Sequence, residues 1–284
     1  MAVETLHRDP SLTVRDYRCT AHPRDRPFVE RHEAFTIAYV RHGSFGCHVR
    51  GAVHELVAGS LFVGHPGDEY ACTHEHHGGG DECLSFHFAP ALVDALDHRD
   101  ADRKPMWRVA FVPPLAEIVV LGELAQAAAE GRTDVALEEA GMLLAARFAT
   151  TVRGGRARSR TLPARDRRRS IDAARWIELH AHEPITLASA AAHVGLSAFH
   201  FLRLFRAGVG VTPHQYLVRC RLRRAARLLS AADRPITDVA LDAGFGDLSN
   251  FIRTFGRAAR MSPRAFRRLA RRDRNAVVER FERR

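Results

Sequence analysis

The chain has 284 residues, enough for about two domains, and its 46% hydrophobic and 27% charged residues are typical of folded globular proteins rather than disordered ones. No run approaches the roughly 18 consecutive apolar residues of a membrane span, and the N-terminus lacks the apolar core of a signal peptide. We therefore expect a cytoplasmic protein with no membrane partner, whose five cysteines do not form a disulfide framework.

The net charge of +10 is concentrated in the C-terminal part of the chain. From Asp166 to the C-terminus there are 24 basic and 11 acidic residues, net +13, whereas residues 1–165 carry a net charge of −3. A strongly basic region joined to a nearly neutral one indicates a polyanion-binding module attached to a domain with another task.

Residues 10–112 predict an antiparallel β domain. Its β-rich runs are separated by glycine and proline turns and lie at 35–40, 45–49, 53–57, 60–63 and 83–88. Short strands at such close spacing are typical of a barrel or a jelly roll.

The next segment changes from strand to helix periodicity. Residues 114–130 and 134–152 are rich in alanine and leucine, with apolar residues at three- and four-residue steps, and predict two amphipathic helices. We treat 113–152 as a helical connector that either packs against the β domain or pairs with a second copy in a homodimer. Residues 153–169 contain almost no large apolar residue and predict a basic linker.

An internal repeat with a period close to 50 residues follows. Four short motifs each occur twice, at 184–186 and 235–237, at 195–196 and 244–245, at 201–205 and 251–255, and at 211–213 and 261–263. Such a repeat indicates two copies of one small structural unit.

The first copy has the cap and turn residues of a helix-turn-helix. Thr186 is an N-cap candidate for a short helix, Gly195 suits the tight turn, and Ser197 is placed to cap a second helix. In that second helix Phe201 and Phe205 are four residues apart, so both are expected to face the core.

The second copy repeats this pattern, with Thr237 as the N-cap candidate, Gly244 in the turn, Asp247 as the second cap, and Phe251 and Phe255 facing the core. Residues 213–230 between the two copies lack glycine and internal proline and predict one helix of about 27 Å. Because successive major-groove faces of B-DNA lie about 34 Å apart, such a rod would hold two recognition helices over adjacent groove segments.

These residues together resemble the DNA-binding domain of the AraC/XylS family over residues 170–272. The first copy supplies Gly195-Leu196-Ser197-(x)3-Phe201-x-Arg203-x-Phe205-Arg206. The second supplies Asp238-Val239-Ala240-(x)3-Gly244-Phe245-(x)5-Phe251-x-Arg253-x-Phe255 and then Ser262-Pro263-(x)2-Phe266-Arg267. Gly256 departs from the family, which usually has Lys or Arg at this position.

The resemblance implies which side chains meet DNA. The base-facing positions would be Phe199, Leu202 and Arg203 in the first unit and Leu248, Ser249, Ile252 and Arg253 in the second. Arg206, Arg221 and Arg257 are candidates for phosphate contacts. The neighbouring Arg223, Arg224 and Arg227 either join these contacts or form a solvated helix face.

The front of the chain resembles, more loosely, the cupin-like sensor domain that is common in this family. His32 with the following strand looks like the first cupin motif, and residues 59–67 look like the second. However, Glu30 and Thr36 stand where a histidine and a glutamate are expected, and Tyr70 stands near the position of the second motif's histidine. We therefore do not predict an ordinary catalytic cupin metal site.

A cluster of cysteines and histidines lies within residues 72–87 of the β domain. If the strand continued, residues 72, 74 and 76 would share one face, and a returning strand would bring Cys83 near them. Thiolate and imidazole at close quarters suit Zn²⁺ or Cu⁺, or redox sensing. The alternatives are an exposed histidine-rich loop with two ordinary buried thiols, or contacts to an organic effector. The residues of this possible metal or redox site are Cys72, His74, His76, Cys83 and His87.

The sequence thus predicts an α+β protein of two domains, with an N-terminal cupin-like antiparallel β-barrel plus helices and a C-terminal all-α domain of two helix-turn-helix units. We expect a non-enzymatic transcription regulator that binds double-stranded promoter DNA and responds to an unknown small effector, with RNA polymerase as a further candidate partner. One alternative is a cupin-type metal-dependent enzyme fused to a DNA-binding domain. Another is an architectural DNA binder without a ligand, which would show a steep salt dependence and little sequence preference.

Overall fold

A computed structural model describes residues 2–27, 29–75, 80–97, 106–153, 162–231 and 233–270. The N-terminal region is built from antiparallel strands. The described strands are β1 (Ala2–Arg8), β2 (Leu12–Cys19), β3 (Val29–Arg31), β4 (Phe35–Val49), β5 (Ala52–Val57), β6 (Leu61–Gly64), β7 (Glu69–Thr73), β8 (Asp81–Phe88) and β9 (Phe111–Val112).

Strand β4 belongs to two sheets. Its first half pairs with β6 and β8, in a sheet of order β1-β2-β8-β4-β6-β9, and its second half pairs with β5 and β7, with β3 at the outer edge of β7. The separate runs predicted at 35–40 and 45–49 are therefore one strand. Gly43, at φ +73°, bends this strand instead of ending it, next to a register shift between Val40 and His42.

The described strand ladders do not close into a ring. The antiparallel β region is therefore confirmed, whereas the cupin-like barrel stays a prediction. The face of the first sheet that carries Ile37, Tyr39 and Phe86, all fully buried, packs against the helical part of the chain.

The rest of the described chain is helical, apart from β9. The helices are α1 (Pro90–Asp97), a short 3₁₀ helix (Met106–Arg108), α2 (Ala116–Ala129), α3 (Leu137–Arg153), α4 (Ala164–Leu179), α5 (Leu187–His193), α6 (Ala198–Val209), α7 (Pro213–Ala231), α8 (Ile236–Asp242), α9 (Leu248–Ala259) and α10 (Pro263–Ala270). Helices α2 and α3 match the two amphipathic helices predicted at 114–130 and 134–152. Across the described ranges, every helix is too short or too polar to cross a membrane.

Helix α2 is the central element between the two halves of the chain. It packs against α3, α7 and α9, and also against β4, where the ring of Tyr39 crosses it at Gly122. A Cβ atom at Gly122 would lie 2.4 Å from that ring, so only glycine permits this approach. Because α2 is buried within one copy, any pairing of copies through the connector would fall to the outer face of α3, where Leu143 is 38% exposed.

The prediction of a basic linker over 153–169 is wrong for residues 164–169, which are helical. Helix α4 begins at Ala164, after Pro163 in the N-cap position, because alanine and arginine are good helix formers and Ser170 and Ile171 are buried. Arg167 in this turn forms an ion pair with the buried Glu55 of β5, with Nε 2.8 Å from Oε1. Residues 154–161 lie outside the described residues.

Candidate functional site

Helices α5 and α6 form the first helix-turn-helix unit, and their local chemistry is as predicted. The Thr186 side chain accepts a hydrogen bond from the Ser189 backbone N–H, and the Ser189 side chain accepts one from the Thr186 backbone N–H. These two bonds form a capping box. The turn places Gly195 at φ +64°, and Ser197 caps α6 by accepting from the His200 backbone.

Helices α8 and α9 form the second unit, with one correction. Asp247 caps α9, with its Oδ1 2.7 Å from the Asn250 nitrogen, and Gly244 has φ +92° in the turn. The N-cap of α8 is Pro235 and not Thr237, because Pro235 fixes the entering chain and its carbonyl already accepts from the Val239 backbone at 3.1 Å. Thr237 therefore lies within the first turn.

The paired phenylalanines of both units are completely buried, as predicted. Phe201 packs on Phe205 and Phe251 on Phe255, with ring centroids 5.5 Å apart in each pair. Burial of one face of α6 and of α9 leaves the opposite face in solvent. Between the units α7 runs without a break for 19 residues, a rod of about 28 Å.

The exposed faces carry most of the predicted DNA-contacting side chains. Phe199 is 69% exposed, and the guanidinium carbon of Arg203 lies 5.8 Å from the centre of its ring, so the two present a combined apolar and cationic surface. Leu202, Arg206, Ser249, Ile252, Arg253 and Arg257 are also exposed. Leu248 is half-buried against the core and offers less surface than predicted.

Arg221, which the sequence suggested as a phosphate contact, is bonded to backbone carbonyls of the protein. Its Nε donates to the carbonyl of Ala181 at 2.8 Å and an Nη to that of Glu183 at 2.9 Å, which ties α7 to the loop before α5. Arg224 in the same way donates to the carbonyl of Asp242. These guanidinium groups hold α7 to the loop before α5 and to the end of α8.

Arg223 is buried against the N-terminal region, and Arg227, although its side chain is 47% exposed, reaches the same region with its guanidinium group. Arg223 is only 3% exposed, and its Nε lies 3.0 Å from Oε1 of Glu123 in α2. Arg227 binds the same carboxylate, with Nε 2.6 Å from Oε2. We call Glu123, Arg223 and Arg227, together with Tyr39, the interdomain cluster, since the hydroxyl of Tyr39 donates to Glu123 at 2.8 Å.

The interdomain cluster is electrostatically balanced. Burial alone would raise the pKa of Glu123, but the charges of Arg227 and Arg223 outweigh burial and lower this pKa, so the carboxylate is ionised. Arg223 also pairs with Glu178 of α4 at 2.8 Å and donates to the carbonyl of Arg41 in β4. Sequence reasoning missed this cluster, although a glutamate on the apolar side of an alanine- and leucine-rich helix was a signal for it.

The two sheets enclose a cavity of about 320 Å³. The residues at the expected cupin positions, Glu30, His32, Thr36 and Tyr70, all line it. His32 stacks on Tyr70 with ring centroids 4.3 Å apart. Its Nε2 is buried and has no hydrogen-bond partner among the described residues, and burial lowers the pKa of His32 to about 4. A neutral imidazole without a partner is therefore available to a bound molecule.

The described residues of the predicted cysteine and histidine cluster line one cavity, but they do not share a single strand face. Cys72, His74, Cys83 and His87 line this cavity, but β7 ends at Thr73, so His74 does not continue the strand face that begins with Cys72. Cys72 lies opposite Cys47 in the ladder between β4 and β7, and His87 bonds to Ser85 with Nε2 3.1 Å from Oγ. His76 lies outside the described residues.

A different set of three donors converges at one end of the cavity. Oδ2 of Asp81 lies 2.9 Å from Nε2 of His74, and Sγ of Cys19 lies 3.7 Å from the same nitrogen. The sequence gives no local sign of this pairing, because Cys19 lies 55 residues from His74 along the chain.

Comparison with known proteins identifies a helix-turn-helix domain within the C-terminal half. A family model described as a helix-turn-helix domain matches residues 190–269. An HTH-type transcriptional regulator of Staphylococcus aureus strain COL is 36% identical over 104 residues, which are 37% of this chain and 13% of that protein. The probable transcriptional regulator LumQ of Photobacterium leiognathi is 36% identical over 88 residues, 31% of this chain and 36% of LumQ.

This chain thus spans about an eighth to a third of the length of these two relatives. Among solved structures, a transcriptional regulator from Chromobacterium violaceum with an AraC-type DNA-binding domain is 28% identical, and the match covers 38% of this chain and 96% of that chain with a TM-score of 0.36.

Proposed function

We propose that this chain, whose residues 190–269 are a helix-turn-helix domain of the AraC type, is a sequence-specific transcription regulator that binds double-stranded promoter DNA. The observation that carries the proposal is the repeated exposed face of α6 and α9. Each face presents an arginine, Arg203 or Arg253, two residues after the first buried phenylalanine of its helix. The basic charge of the C-terminal region supports the same assignment.

Arginine at these two positions suits base recognition. A guanidinium group can donate two parallel hydrogen bonds to O6 and N7 of guanine in the major groove. The apolar neighbours Phe199, Leu202 and Ile252 suit thymine methyl groups or groove shape. Ser249 adds a hydroxyl that can pair with several bases, while Arg206 and Arg257, both exposed, are the proposed phosphate contacts.

We assign residues 10–112 to a sensor domain of the cupin-like type, 113–152 to a connector and 170–272 to DNA binding. The sensor is proposed to take a small partly aromatic effector into the cavity. Aromatic rings of Tyr17, Phe45 and Phe62 line its wall, the volume is in the range of small-ligand sites, and Nε2 of His32 offers one polar contact.

The interdomain cluster is the proposed connection between sensor and DNA-binding domain. It joins α2 and β4 on one side to α7 on the other, and α7 connects the two helix-turn-helix units along the chain. A shift of strand β4 caused by an effector would therefore move α7, because Tyr39 of β4 binds Glu123 and the carbonyl of Arg41 binds Arg223 of α7. Contact with RNA polymerase and dimer formation through α3 stay predictions.

Selection of duplexes from a randomised library by the full chain tests DNA recognition. We expect an enriched motif with two boxes about 10 bp apart, one for each unit. Salt-sensitive binding without any enriched motif would instead support an architectural binder. The alternative of a cupin-type metal-dependent enzyme predicts turnover of a small molecule. The DNA selection does not measure turnover, so this alternative needs a separate activity assay.

A further inference from the structure

We propose that Cys19, His74 and Asp81 bind one Zn²⁺ ion at the end of the cavity between the two sheets. The donor atoms of these three residues all lie within 4.8 Å of one another. The proposal keeps His74 from the set that the sequence suggested within residues 72–87 and joins it to Cys19 and Asp81 from other parts of the β region. It is independent of whether the chain binds DNA.

The backbone fixes two of the three donors. Cys19 is the last residue of β2 and Asp81 the first residue of β8, and they face each other as register partners in the antiparallel ladder. His74 follows β7, which belongs to the other sheet. Gly80 before Asp81 has φ +75° and donates to the carbonyl of Ala21, which holds the returning chain against the end of β2.

Two of the three donor separations are close to those of a tetrahedral zinc site. With Zn–S near 2.3 Å and Zn–N and Zn–O of about 2.0–2.2 Å, the donor atoms of such a site stand about 3.4–3.6 Å apart. The Cys19 sulfur is 3.7 Å from the His74 nitrogen, already at this separation. The His74 nitrogen and the Asp81 oxygen, now 2.9 Å apart in a hydrogen bond, need to move apart by about 0.5 Å when the metal replaces the shared proton.

The donor set favours zinc over copper. Cu⁺ prefers sulfur ligands, whereas one thiolate, one imidazole and one carboxylate form the mixed set that Zn²⁺ accepts. The thiolate and the carboxylate together balance the charge of the ion, so that binding leaves no net charge at a largely buried place. Three protein donors leave the fourth position of the tetrahedron for water or for a molecule in the cavity.

Protons and zinc compete for these ligands. Burial raises the pKa of the Cys19 thiol, so the metal must displace its proton, and His74 must be neutral to bind. Zinc binding is therefore expected to release the thiol proton of Cys19.

The test uses the full chain, stripped of metal by a chelator and then titrated with Zn²⁺ against a chromophoric competitor. The variants are Cys19→Ser and Asp81→Asn, which keep size and hydrogen-bonding capacity. Cys72→Ala is the matched control, a cysteine of the same cavity outside the proposed site. Thermal unfolding of each metal-free variant shows that it is folded.

We expect one Zn²⁺ per wild-type chain, the same for Cys72→Ala, and affinity lowered by about tenfold or more for Cys19→Ser and Asp81→Asn. Cobalt in place of zinc should give the absorption of a tetrahedral site with a sulfur-to-metal band, and Cys19→Ser should lose that band. Absence of binding by the wild type overturns the proposal. So does a sulfur band that survives in Cys19→Ser or disappears in Cys72→Ala. DNA selection by the metal-free chain reports separately on the proposed function.

Discussion

Nε of Arg223 lies 3.0 Å from Oε1 of Glu123, although 100 residues separate them along the chain. The pair is buried on both sides and joins the helix that carries the two helix-turn-helix units to the helix that packs on the β region. Four arginines of α7 were candidates for DNA contact from the sequence, but in the structure all four bind other parts of the protein. Arg221 and Arg224 hold neighbouring loops, and Arg223 and Arg227 hold Glu123.

Replacing Glu123 by alanine is expected to lower the free energy of unfolding by about 3–5 kcal/mol, because the buried guanidinium of Arg223 is left without its main counter-charge. Chemical denaturation of the full chain measures this loss. Glu139→Ala, at an exposed position in the first turn of α3, is the control and should change stability by less than about 1 kcal/mol. Equal effects of the two substitutions would mean that the interdomain cluster does not hold the halves together.

Replacing Arg203 or Arg253 by alanine is expected to weaken binding to the selected DNA sequence by about 1–3 kcal/mol and to relax selection at one base position. Arg206→Ala should instead weaken binding similarly for all sequences, since a phosphate contact carries no base information. Competition binding with the selected and a scrambled duplex separates the two effects. Arg24→Ala, in an exposed loop of the β region, should change neither affinity.

Stability should decrease on mild acidification because of two cavity histidines. Burial lowers the pKa of His32 and of His87 to about 4, whereas a histidine in the unfolded chain titrates near 6.5. Between these values the unfolded chain binds protons that the folded chain does not. The contribution is therefore complete above pH 6.5 and decreases as the pH falls toward 4, by up to about 1.4 kcal/mol per pH unit for each histidine.

Unfolding experiments from pH 7.5 to pH 4.5 measure this slope. His87→Gln should remove part of it, because glutamine keeps a polar group near Ser85 without titrating. His182→Gln, at an exposed position, is the matched histidine control. A wild-type stability that stays constant over this range would contradict the neutral state of the two buried imidazoles.

Two glycine-to-alanine substitutions in helices should act in opposite directions. Gly256→Ala in α9 meets no atom closer than 3.9 Å and should stabilise the chain by about 1 kcal/mol, since alanine has the higher helix propensity. Gly122→Ala in α2 would drive a methyl group into the Tyr39 ring and should destabilise by about 1–3 kcal/mol. Melting temperatures compare the two variants directly, and a stabilising Gly122→Ala would contradict the close contact of α2 and β4.

The sequence by itself determined the helix-turn-helix units. Caps such as Ser197 and Asp247, the turn at Gly244 and the buried faces of Phe201 and Phe255 depend on residues only three or four positions apart, so local spacing was sufficient to predict them. The error at Thr237 was also local, because a proline two residues earlier fixed the start of α8.

Only the tertiary structure decided which charged and sulfur-bearing side chains meet. Arginines occupy several sides of α7, and the side that faces protein rather than solvent depends on where α2 packs, which sets Arg223 against Glu123. Likewise Cys19 joins His74 and Asp81 because β2 pairs with β8 in one particular register. Pairings across 55 and 100 residues follow from the packing of distant elements, and no local pattern in the sequence records them.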